Sequence, residues 1–116
     1  MKKFLAIYTG TPAGMAKWNA VPEQELKQRQ AEGVKAWYAW VERNKSSIVE
    51  MGGPLGRTKR IAPEGVTDIR NDMTAFTIVQ ADSHEAAARL FENHPHFTHF
   101  SGDAVEVMEC MPVPTM

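Results

Sequence analysis

Three of the chain's four histidines, His94, His96 and His99, fall within one short stretch. Histidine titrates near neutral pH and is the commonest metal ligand, so acid–base chemistry or ligand binding is sought here first. His94 ends an apolar helical stripe of Ala87, Leu90 and Phe91. At a helix C-terminus the dipole favours the imidazolium, while burial favours the neutral ring. A ring poised between the two can act as a general acid or base. The same position also suits a packed ring bonded to the last carbonyls of its own helix. In an extended segment His94 and His96 share a face; in a helix His96 and His99 do. Pro95 restricts that backbone, no cysteine lies near, and the spacing is not a closed zinc signature, so no metal and no cofactor is expected. The other reading is a polar turn anchored by Phe97 and Phe100.

Glu106 alternates onto one strand face with Met108 and Cys110. If a second subunit covers that face, Glu106 is a carboxylate in apolar surroundings, able to work as an acid or base beside a histidine. If it does not, Glu106 is a solvated edge residue within reach of Arg57, Lys59 or Arg60. His94 and Glu106 are thus the candidate catalytic residues, and His96, His99, Asp103 and Tyr8 the candidate ligand contacts. Asp103 after Gly102 also reads as a turn residue. Tyr8, Trp18, Trp37 and Trp40 also read as core or interface aromatics, and Cys110 as a buried small hydrophobe. Gly52-Gly53-Pro54-Leu55-Gly56 lacks the P-loop lysine and the dinucleotide spacing, and reads as a bulge that bends a strand.

These residues need a scaffold, and 116 residues with 43% hydrophobic and 23% charged side chains suit one globular domain, residues 1–116. A net charge of −1 gives no footprint for nucleic acid or an anionic membrane. The apolar run after Lys2-Lys3 is too short for a signal peptide, and no stretch approaches a membrane span. One cysteine leaves no internal disulfide, which fits the reducing cytoplasm.

Lys3 to Thr9 reads as a first strand, and Thr11 to Val21 as a connection with a helical turn near Met15 to Trp18. Pro22 to Lys45 has helical apolar spacing at Leu26, Val34, Trp37 and Val41, with Glu23 and Glu25 in its first turn. Gly33 inside this helix costs about 1 kcal/mol against alanine unless it permits a close approach. Ile48 to Met51 and Arg57 to Ala62 read as one bent strand, with Val66 to Arg70 pairing back as a small arm. Thr74 to Gln80 is the strongest strand signal. A helix from Asp82-Ser83 is expected to end at Pro95, and Ala104 to Met111 is the last strand. The order is that of a ferredoxin-like βαββαβ fold of the α+β class: a four-stranded antiparallel sheet with its helices on one face.

A half-exposed sheet alternates apolar and polar residues, and these strands do not. Phe4, Ala6 and Tyr8 oppose Leu5 and Ile7; Ala75 and Val79 oppose Phe76 and Ile78; Val105 and Val107 oppose Met108 and Cys110. Helices cover one face. A second copy of the sheet is the simplest cover for the other, which predicts a homodimer.

Gly53-Pro54-Leu55-Gly56, Asn93-His94-Pro95-His96-Phe97 and Gly102-Asp103-Ala104-Val105-Glu106-Val107 resemble motifs of the YCII-related family. The resemblance runs from about Lys3 to Pro114 and is weakest from Thr11 to Val21. It implies a dimeric α/β barrel. The family's proposed active site pairs a histidine on the first helix with an aspartate before the helix-ending proline. Here no histidine precedes His84, and His94 stands before Pro95, so that pair does not carry over. What the resemblance implies is the place: the end of the second helix. Two functional readings follow. One is a small-molecule enzyme or ligand-binding protein with its pocket at the His94-Pro95-His96 corner. The other is a non-enzymatic homodimeric module with a structural or regulatory role.

Overall fold

A computed structural model describes residues 1–115. Its main sheet is built from β1 (Lys2–Thr9), β2 (Ile48–Pro54), β5 (Met73–Ala81) and β6 (Ala104–Glu109), in the order β2-β5-β1-β6 with all neighbours antiparallel. This is the ferredoxin-like arrangement expected from the sequence. A separate hairpin of β3 (Thr58–Ala62) and β4 (Gly65–Ile69) stands off as an arm. Arg57 to Ala62 therefore does not continue β2. The chain leaves the main sheet at the glycine segment, where Gly52 has a positive φ of 70° and a side chain would run into the Phe76 carbonyl. The register of β2 against β5 shifts on either side of Glu50, as a bulged strand requires.

Among the described residues four α-helices and a short 3-10 turn at Lys45–Ser47 complete the fold. The Thr11–Val21 connection is more regular than the expected single turn: it forms α1 (Pro12–Asn19), with the Thr11 hydroxyl accepting from the Gly14 N–H and Pro12 in the first turn. The long helix α2 (Glu23–Arg43) begins just after Pro22. Ser83 caps α3 (His84–Arg89) through the Ala86 N–H at 3.0 Å. The second helix is shorter than expected. After Arg89 the chain tightens into i→i−3 bonds, such as Phe91 N–H to Ala88 C=O, and Asn93 takes a left-handed φ of 57°. Pro95 does not end that helix. It opens a new one, α4 (Pro95–Thr98), where its missing N–H leaves nothing unsatisfied.

The core lies between α2, α3 and the face of the sheet carrying Phe4, Ala6, Tyr8, Ala75, Thr77 and Val79. Trp40 of α2 and Phe91, just beyond α3, fill it, and the Trp40 indole N–H donates to the Leu90 carbonyl at 2.9 Å. Gly33 explains itself here. A side chain at that point on α2 would enter the ring of Phe100, which follows α4. The helix gives up propensity so that Phe100 can seat against its backbone.

The opposite face of the sheet is apolar at its centre. Leu5 faces Ile78 on one side and Met108 on the other; Ile7 faces Phe76 and Glu106. Leu5, Ile7, Phe76 and Ile78 are half-buried, and Met108 and Cys110 are exposed. Cys110 is thus on this open face and not in the helix-covered core. No helix among the described residues is long and apolar enough to cross a membrane.

Gly33→Ala should destabilise the fold despite alanine's better helix propensity. Overpacking against Phe100 costs about 1–3 kcal/mol, against a gain of about 1 kcal/mol. A urea unfolding midpoint below that of the wild type is the expected result.

Candidate functional site

His94 is fully buried. Its ring is held by Trp37 and Trp40, each with a centroid 4.5 Å away and edge-on, and by Tyr8 at 5.1 Å and Phe91 at 5.9 Å. Its Nδ1 accepts the backbone N–H of His96 at 3.0 Å, which makes His94 the N-cap of α4. The sequence placed it at a helix C-terminus; it stands instead at the N-terminus of the next helix, where the dipole disfavours a positive ring. An accepting Nδ1 leaves the proton on Nε2. That proton points at the Tyr8 hydroxyl, 3.5 Å away. The Thr77 hydroxyl donates to the Met51 carbonyl at 3.0 Å, so Tyr8 must donate to Thr77 at 2.8 Å. The bonds run in one direction, from His94 through Tyr8 and Thr77 to β2. Burial, and then the neighbouring His96, push the His94 pKa down to about 3. Burial pushes the Tyr8 phenol well above its ordinary range, only partly offset by Thr77. Both groups are neutral near pH 7.

His96 is also buried, but less completely. Its Nε2–H donates to the Thr9 carbonyl at 2.9 Å. Desolvation lowers its pKa, while bonds to the Thr9 and Ala104 backbone and the charge of Asp103 oppose the shift. Gly102 lies against the ring so closely that any side chain there would overlap it. Asp103 is exposed and clamps the start of α1: its carboxylate accepts from the Thr11 N–H at 2.6 Å and the Thr11 hydroxyl at 3.0 Å. The Thr11 N–H bond is the main reason its pKa lies below the ordinary carboxylate value.

A cavity of about 550 Å³ opens beside His96. Trp37, Val34, Gln30 and Tyr38 of α2 wall one side, Met15 and Trp18 of α1 another, and Phe100 and Ser101 follow α4. The bulged segment Met51-Gly52-Gly53-Pro54 and Thr74-Ala75 close it from the sheet. Its lining includes both buried His96 and Tyr38, which is 59% exposed. Its volume falls within the range of about 300–1,000 Å³ that small-molecule sites occupy.

The structure brings only part of the predicted set together. His96 lines the cavity. His94 and Tyr8 lie behind its wall, bonded to each other and sealed from solvent. Asp103 supports the cavity through Thr11 and α1 without lining it. His99 is half-buried and does not line the cavity, with its Nδ1 2.7 Å from the Thr98 hydroxyl. Glu106 is exposed on the open face of the sheet opposite the histidines, so no His94–Glu106 pair forms. Among the described residues no group of three or more His, Cys, Asp or Glu is placed to hold a metal ion. Trp18, Gln30, Val34 and Tyr38 line the cavity although none was singled out as a contact from sequence. The i, i+4 and i, i+8 spacing of Gln30, Val34 and Tyr38 on one helix was a usable signal.

No protein-family model matches the chain, and no curated protein matches it. Among solved structures it is similar to 5-chloro-2-hydroxyhydroquinone dehydrochlorinase from Burkholderia phenoliruptrix AC1100, solved in complex with 2,5-dihydroxybenzoquinone. The TM-score is 0.56 at 21% identity, covering 94% of this chain and 93% of that one. The likeness establishes the shared fold.

Acid should weaken the protein through His94. An unfolded histidine takes up its proton near pH 6.5, whereas folded His94 resists until about pH 3. The unfolded state therefore binds more protons between those values. The stability is fully present above pH 6.5 and is lost as pH falls. From pH 6.5 to 5 the loss is at most about 2 kcal/mol. Urea unfolding at pH 7, 6 and 5 should show this slope. His94→Asn, which keeps a capping acceptor but no titrating ring, should flatten it.

Proposed function

We propose that this chain is a YCII-related protein of one domain that works as a homodimer in the cytoplasm and binds a small molecule in the cavity beside His96. The observation that carries the reading is the cavity itself: a mostly apolar hollow with one buried imidazole in its lining. The Thr9 carbonyl fixes the His96 tautomer and orientation, leaving Nδ1 as the lone-pair side of the ring. A neutral imidazole held this way accepts a hydrogen bond or a proton from a ligand. His96 is therefore the residue assigned to the ligand, and His94 positions it by capping α4. The similarity to a ligand-bound dehydrochlorinase supports a small-molecule role at the level of fold only.

The homodimer reading rests on the open face. Its apolar centre of Leu5, Ile7, Phe76, Ile78 and Met108, rimmed by Glu106 and Glu50, suits burial against a second copy.

Two measurements test these readings. In a thermal-shift screen of small organic compounds, a ligand present at 100 times its Kd adds about 2.7 kcal/mol, several degrees of Tm. His96→Asn should abolish the shift given by wild-type hits; hits that stabilise both proteins alike would remove His96 from the site. Light scattering after sizing should give twice the chain mass for wild type and a single-chain mass for Leu5→Asp. A wild-type monomer at micromolar concentration would overturn the dimer.

A further inference from the structure

We infer that the cavity beside His96 selects planar aromatic compounds that carry no negative charge; the inference rests on the pocket reading above and names its ligand class. Three observations lead there. First, the walls are rings. Trp18 and Phe100 have centroids 5.7 Å apart at 43°, and Trp37 and Phe100 6.1 Å apart at 65°. Rings splayed at these angles form a corner that presents both faces and edges, and a flat aromatic guest can meet both in the offset and edge-on geometries such rings prefer. A saturated guest of the same size gains only the area term. Second, no Asp, Glu, Lys or Arg lines the cavity. A carboxylate entering it would shed water, find no countercharge and meet the electron-rich faces of the rings. Third, its polar side chains, Gln30, Tyr38, Thr74, His96 and Ser101, with the indole N–H groups of Trp18 and Trp37, are uncharged. They suit a ring hydroxyl or carbonyl, groups that need one or two hydrogen bonds and no ion pair.

The shape of the corner is held by backbone, not by adaptable side chains. Phe100 sits where Gly33 leaves room on α2, and His96 sits where Gly102 leaves room beside it. The site therefore keeps its ring geometry before a guest arrives, which favours a rigid guest over a flexible chain.

The test uses three matched probes and calorimetry on the full-length protein: 2-naphthol, 2-naphthoate and decahydro-2-naphthol. These keep the carbon frame and change only charge or aromaticity. Naphthol is expected to bind at least tenfold more tightly than either counterpart and to quench tryptophan fluorescence. Val34→Trp, on the exposed side of α2 where it fills the cavity without touching the core, is expected to weaken naphthol at least tenfold. If naphthoate or decahydronaphthol binds within tenfold of naphthol, the ligand class is wrong while the pocket stands. If no probe binds at millimolar concentration, the pocket reading itself falls. If Val34→Trp binds naphthol as wild type does, binding lies elsewhere and the inference is overturned.

Discussion

One desolvated imidazole sets the geometry of this fold's functional end. His94 accepts the His96 N–H, and that bond decides where α4 begins. The other side of the ring bonds toward Tyr8, whose hydroxyl reaches β2 through Thr77. Two tryptophans of α2 clamp it edge-on. A buried polar ring is tolerable only when its polar atoms find partners. Both nitrogens of His94 have them, and among the described residues no buried side-chain nitrogen or oxygen is left without one. The requirement for a partner on each side is what links helix, sheet and bulged strand at one point.

From there the cavity follows. With α4 started at Pro95, His96 falls onto the Thr9 carbonyl and Phe100 onto the backbone of α2. Asp103 then holds α1 across the opening through Thr11. Each of these contacts joins residues remote in sequence, and none involves a charged group inside the hollow. The two glycines that admit Phe100 and His96 do so by lacking a side chain, not by adopting an unusual backbone angle.

Much of the architecture was legible in the sequence because periodicity and turn chemistry act locally. The long helix, the strong strand at Thr74 to Gln80, the hairpin arm and the apolar character of both sheet faces could all be read from residue order. The corner at residues 90–96 could not. A proline after an apolar helical stripe reads equally as a stop or a start, and the left-handed Asn93 that decides between them carries no exclusive signature. The histidines were found as a group, but their separation into one sealed ring, one lining the cavity and one half-buried outside it depends on that corner. Glu106 was placed on the correct strand face by alternation. What alternation could not say was that His94 sits beneath the opposite face.

The β3–β4 hairpin joins two strands that are already neighbours. Pro54 pairs with Ala75, and the Leu55 N–H still reaches the Thr74 carbonyl at 2.8 Å before the arm departs. Its entry and exit points are thus fastened together by the parent sheet, whatever lies between them. Lengthening or trimming such an excursion changes loop-closure entropy by only about 0.6 kcal/mol per doubling. The arm is therefore the part of this molecule in which descendants can gain or shed sequence most freely, while the histidine corner stays as it is.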